Sequence, residues 1–181
     1  MIFKDILTRE QCNDISGVML HLYENEKEKL NFESSEEYEY YNGSYGMGDL
    51  EEVENVAGLI QSKILQEYKG YVFQSSYTRI YRNGSILKIH TDREKLDLTL
   101  TVCVYSDIAK PWPICVSNIR RETDWAFDKP DSYYKQDSVS YETPVGTGVT
   151  CLGREYPHWR EKLECEENQK VIQTFFHWRK Y

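Results

Sequence analysis

Apolar residues recur at helical spacing over the first 70 positions and at alternating spacing beyond them. Met1 to Ile6 is a short apolar entry that reads as an edge strand. Thr8 is placed as a helix N-cap, with Glu10 and Gln11 in the first turn. Ile15, Val18, Met19, Leu22 and Tyr23 then fall on one face, which predicts a helix running to about Lys29. Asn31 to Gly48 is polar and tyrosine-rich and reads as a loop, either a lid whose tyrosines line a groove or a solvated segment. Asp49 opens a second helix with a broad apolar face (Leu50, Val53, Val56, Ala57, Leu59, Ile60, Ile64, Leu65), and Gly70 stops it. From Tyr71 onward β-branched and aromatic residues dominate. Turn signals recur at Asn83-Gly84, Pro111 to Pro113, Lys129-Pro130, Gly146 to Gly148 and Gly153. Two helices followed by about eight short strands predict a β-sandwich or jelly roll with helices packed on one sheet.

Composition narrows the class. At 181 residues, 40% hydrophobic and 14% aromatic, the chain is a folded single domain rather than a disordered one. A net charge of −8 argues against nucleic acid or anionic membrane as a partner. Cys12, Cys103, Cys115, Cys151 and Cys165 are odd in number and unpaired in spacing, so they read as reduced thiols. The first residues lack an apolar signal core and no apolar run approaches spanning length. The expected location is the cytoplasm.

One stretch carries chemistry: Ser85-Ile86-Leu87-Lys88-Ile89-His90-Thr91-Asp92. On a strand, residues i and i+2 share a face, so His90 and Asp92 can reach one ion from one strand end. Two histidines and a carboxylate form the facial triad that holds non-haem Fe(II) with positions left open. The third ligand has to come from His158 or His177, since His21 lies in the first helix. Strand parity sets His177 opposite Lys170 and Phe176, which favours His158. The plain alternative is a surface histidine beside a turn aspartate. In the last strand, Lys170 heads the row Ile172, Thr174, Phe176, and a lysine heading an inward row needs an anionic partner.

The pieces YTRIYRNGSILKIHTDRE, LTLTVCVYSD, PWPICV, VGTGV, REYPHWR and KVIQTFFHW, in that order, resemble the Fe(II)- and 2-oxoglutarate-dependent oxygenases, in the prolyl 4-hydroxylase-like branch. HTDRE, PWPICV and PHWR are also similar to small phage and marine microbial members. The resemblance spans about residues 71 to 178. It implies a mainly β fold, a double-stranded β-helix (jelly roll) with N-terminal helices packed on the major sheet. Residues 1–70 would be a helical support and 71–181 the catalytic core of one domain, 1–181. His90, Asp92 and His158 would be the metal ligands, Lys170 the cation for the distal carboxylate of 2-oxoglutarate, and Tyr81 a hydrogen-bond partner of that co-substrate. Arg160 stands too near His158 to head the next strand. The cofactors implied are Fe(II), 2-oxoglutarate and O2, with succinate and carbon dioxide formed as an unactivated C–H bond is hydroxylated.

The implied substrate is a peptide or protein, with a free amino acid or other small metabolite as the alternative. A non-catalytic metal-binding jelly-roll module is the rival from another class. Ile172, Phe176, Val102 and Val104 would wall the site, Tyr105 is a second candidate for the pocket, and Arg93 for the substrate side. Trp112 and Trp125 read as packing residues, and Asp124 to Tyr134 as a loop at the mouth. The pattern leaves the oligomeric state open.

Overall fold

The computed structural model of the chain describes residues 1–33, 41–121 and 129–181; the side chains of Tyr41 and Asn42 lie outside it. Its elements are β1 (Ile2–Phe3), α1 (Arg9–Asn25), β2 (Asn31–Glu33), β3 (Tyr41–Asn42), β4 (Ser44–Gly48), α2 (Glu51–Glu67), β5 (Tyr71–Arg82), β6 (Ile86–His90), β7 (Leu98–Ser106), β8 (Ile114–Ser117), α3 (Asp131–Lys135), β9 (Ser138–Tyr141), β10 (Gly148–Cys151), β11 (His158–Arg160) and β12 (Lys170–Lys180). Two antiparallel sheets form among the described residues. One has the order β1-β10-β7-β12-β5-β4-β2, the other β3-β6-β11-β8-β9. From β5 to β12 the chain crosses repeatedly between the sheets, which is the winding of a double-stranded β-helix. The expected mainly β jelly roll with helices on the major sheet is the observed fold.

Thr8 closes α1 with a full capping box: Gln11 N donates to its hydroxyl and Thr8 N donates to Gln11 Oε1. The helix ends at Asn25, short of Lys29, and residues Lys27–Lys29 form a single 3-10 turn. Asp49 lies outside α2, in the left-handed region at φ 53°, so the helix begins at Glu51. Gly70, at φ 81°, supplies the turn after α2.

The first 70 residues are more than a helical support. The expected loop from Asn31 to Gly48 contributes β2 and β4 to the larger sheet and β3 to the smaller, while residues 34–40 lie outside the description. Tyrosines disguised the strands. Tyr45 pairs with Ile80 and Met47 with Thr78, and a Cβ on Gly46 would stand 2.4 Å from the Tyr77 ring. Only glycine lets that ring lie across the strand.

The two faces of the larger sheet differ. Leu98, Leu100, Val102 and Val104 of β7, with Ile172, Phe176 and Trp178 of β12, pack on Ile15, Met19, Val53, Ile60 and Ile64 of the helices. Burying one such side chain is worth about 1.5–3 kcal/mol. Val102, Val104, Ile172 and Phe176 therefore belong to the helix-side core and do not wall the site, as the alternation had suggested. The facing row, Thr99, Thr101 and Cys103 with Val171, Gln173, Phe175 and His177, looks into the β-helix. No described helix is long and apolar enough to cross a membrane.

Candidate metal centre

His90 ends β6 and is the direct cross-strand partner of His158, which begins β11. The next registered pair is Leu87 with Arg160, so three steps on β6 match two on β11. This bulge leaves Lys88 exposed and turns both Leu87 and His90 to the buried side, where simple alternation would have separated them. The Lys88 carbonyl accepts from His90 Nδ1 at 2.9 Å, and the Tyr156 carbonyl stands 3.2 Å from His158 Nδ1. A carbonyl only accepts, so Nδ1 carries a proton in each ring, and Nε2 is the nitrogen that faces the group. The rings are 4.3 Å apart between centroids.

Asp92 completes the group. Its Oδ1 lies 3.9 Å from His90 Nε2 and 3.7 Å from His158 Nε2, and the three donor atoms fall within 4.8 Å of one another. Cis ligands about 2.1 Å from an octahedral ion stand roughly 3 Å apart, so each measured gap closes by under about 1 Å on an ion. Burial and the nearby His158 push His90 down to about 3, so its ring is neutral at neutral pH. Burial works to raise Asp92, but His158, His177, His90 and the Thr99 hydroxyl outweigh it and hold the carboxyl below its usual range. The donor set is thus two imidazoles and one carboxylate, which suits Fe(II) with open positions.

Two further contacts fix the carboxylate. The backbone N–H of Asp92 donates to Gly153 O at 2.8 Å, and a Cβ on residue 153 would stand 1.8 Å from Oδ2. Thr99 Oγ1 donates to Oδ2 at 2.5 Å and accepts from His177 Nδ1 at 2.9 Å, because a hydroxyl has one proton and the carboxylate takes it. His177 is therefore a support of the carboxylate and stays outside the ligand group. The pattern predicted neither it nor Thr99 in this role, since both come from strands far along the chain.

A prolyl-4-hydroxylase from Pseudomonas putida superposes with TM-score 0.69 at 12% identity, over 100% of this chain and 92% of that one. A viral collagen prolyl hydroxylase from Paramecium bursaria Chlorella virus-1, solved as a 2-oxoglutarate complex, gives 0.61 at 10% identity over 100% and 95%. The epimerase SnoN of nogalamycin biosynthesis, solved with Fe3+, α-ketoglutarate and nogalamycin RO, gives 0.73 at 10% identity over 99% and 78%. The fold is that of the 2-oxoglutarate- and iron-dependent oxygenases. No protein-family model and no curated protein sequence matches the chain.

Within this oxygenase fold the remaining candidates divide. Tyr81 is fully buried on β5, its ring edge-on to Trp112 at 4.9 Å, inside the β-helix. Lys170 is not inside. Its Nζ donates to Asn168 O at 2.9 Å and lies 5.7 Å from the Tyr23 ring of α1, on the helix side with Ile172 and Phe176. The row that Lys170 heads was read correctly, but that row faces the helices. Tyr105 likewise turns outward and donates to Asp107. Arg93 is exposed, and His21 is on the surface of α1 beside Asn25 and Glu26. Trp112 packs as expected; Trp125, with the rest of residues 122–128, lies outside the described residues.

Arg160, two residues after His158, is a cation inside the fold and is fully buried. On another inner wall, Arg79 makes a two-pronged pair with Glu33 at 2.8 and 3.0 Å. Reading residues 31–48 as a loop hid Glu33, because the strand bearing it is only three residues long.

Proposed function

We propose that the chain is an Fe(II)- and 2-oxoglutarate-dependent dioxygenase, with His90, Asp92 and His158 as metal ligands and Tyr81 beside the co-substrate. The supporting observation is the convergence of three ligand-competent donors at the ends of β6 and β11, each imidazole held by a backbone carbonyl. The ion, when bound, supplies the oxygen chemistry. The protein's own residues orient the ligands, exclude water and hold the carboxylate.

Within that class the reading is a prolyl 4-hydroxylase-like enzyme acting on a peptide or protein. In its support, the chain covers 92% and 95% of the two prolyl hydroxylase structures, against 78% of SnoN. A small-molecule substrate is the second reading, favoured by the higher TM-score of 0.73 with SnoN. Five unpaired cysteines support a reducing compartment such as the cytoplasm.

The test is 2-oxoglutarate turnover in air with added Fe(II), read as succinate, first alone and then with peptide libraries scored for a gain of one oxygen. Succinate that needs both iron and oxygen, and vanishes in His158→Ala, supports the reading. A protein that binds neither Fe(II) nor 2-oxoglutarate refutes it in favour of a binding module.

A further inference from the structure

Lys170 heads a row whose charge calls for an anion, and the fold turns that row away from the metal group. Its direct cross-strand partner on β5 is Arg82, so two cations stand opposite each other at the end of the larger sheet. Like charges in that relation are destabilising. A third cation, Lys27, comes from the 3-10 turn after α1. Its Nζ lies 4.0 Å from the Tyr23 ring centroid and 5.2 Å from that of Tyr45. Lys170 Nζ lies 5.7 Å from the same Tyr23 ring, and the Arg82 guanidinium 5.2 Å from the same Tyr45 ring. The two rings meet edge to face at 5.3 Å. One aromatic pair thus gathers positive groups from three separate elements.

The rings hold these charges in place without neutralising them. None of the three cations forms an ion pair with a carboxylate among the described residues. Lys170 Nζ donates to Asn168 O at 2.9 Å and Arg82 Nε to Gly43 O at 3.4 Å, both neutral acceptors. Carboxylates close by in the chain or the fold are engaged elsewhere. Glu26 pairs with Lys29 and His21, Asp107 accepts from the Lys170 backbone N–H and the Tyr105 hydroxyl, and Glu167 accepts from Asn83. In a chain of net charge −8, acidic partners were plentiful, yet this spot lacks one. Lys27 is exposed and Arg82 and Lys170 are half-buried, so a solute reaches the group.

We propose that Lys27, Arg82 and Lys170 form a binding site for a phosphate-type oxyanion, separate from the metal centre and independent of the oxygenase reading. Arginine offers a phosphate two parallel N–H donors and each lysine a point charge, so three cations suit a multiply charged anion better than a single carboxylate. Lys170 stands seven residues before His177 on β12, roughly 23 Å along the strand, and on its opposite face. The anion that Lys170 calls for is therefore bound on the helix side, at the far end of the sheet from Asp92.

The test titrates inorganic phosphate into the isotope-labelled protein at constant ionic strength, with acetate as the singly charged control, read by amide NMR shifts and calorimetry. Saturable shifts are expected at Lys27, Arg82 and Lys170, with acetate about 10-fold weaker or more. Lys27→Gln and Lys170→Gln together are expected to weaken phosphate binding by about 10-fold or more. Lys4→Gln, beside β1 at the opposite edge of the same sheet, is expected to leave it unchanged. Shifts that do not saturate, that spread over the lysines at large, or that survive the double substitution overturn the site. Equal binding of acetate overturns its assignment to phosphate. If the double variant does not fold, the wild-type shift map and the acetate comparison decide by themselves. A phosphoserine tripeptide, with its unphosphorylated form as blank, then separates the sources: tighter binding than inorganic phosphate assigns the anion to a partner's phosphorylated side chain, and equal or weaker binding to free phosphate.

Discussion

The two faces of β12 meet different demands over the same eleven residues. Ile172, Phe176 and Trp178 are fully buried against the helices and stabilise the fold by apolar area. Gln173 and His177, one pleat away, are tied into hydrogen bonds that end at Arg160 and at Asp92 through Thr99. Burial alone does not separate the faces, because both are largely shielded from water. What separates them is directionality: apolar packing tolerates any neighbour of the right volume, whereas a hydrogen-bonded row fixes where each polar atom must be.

The contrast is sharpest under mutation. Phe176→Ala, on the helix face, is expected to cost about 3–5 kcal/mol of stability, read as a lowered melting temperature. Its metal affinity per folded molecule should stay that of the wild type. His158→Ala inverts the pattern: more than about 100-fold loss of Fe(II) affinity by calorimetry, with no comparable fall in melting temperature.

Proton linkage marks the inner face as well. Burial, joined at His90 by the nearby His158 and opposed at both rings by Asp92, holds His90 down to about 3 and His177 down to about 4, both below the ordinary value near 6.5. The unfolded chain therefore binds protons that the folded chain refuses. The stability of metal-free protein should be fully present above about pH 6.5 and fall toward pH 4, by up to about 1.4 kcal/mol per pH unit for each ring. Denaturant melts across that range measure it, and His177→Gln should make the slope shallower.

Two smaller changes test the support of the carboxylate. Gly153→Ala drives a Cβ into Asp92 Oδ2 and is expected to weaken Fe(II) binding by about 10–100-fold. Thr99→Val removes the hydroxyl that bridges Asp92 and His177 while keeping its shape, with about a 10-fold loss expected. If Thr99→Val binds metal like the wild type, the bridge from His177 does not position the ligand.

Much of this was legible in the linear pattern. Helical spacing located both helices, the Thr8 to Gln11 box marked the first start, and alternation with turn residues marked the strands from Tyr71 onward. His90, Asp92 and His158 were identifiable as a group because ligand chemistry restricts the residue types. Their meeting required β6 and β11 to pair with a bulge, and no local signal encodes that register. The same limit explains Lys170 and Arg160. Alternation tells which residues share a side of β12, so the row of Lys170, Ile172 and Phe176 was correct. It does not tell which side meets the helices, because a strand buried on both faces is apolar on both. Only the packing of α1 and α2 decided that, and with it that Lys170 lies on the helix side.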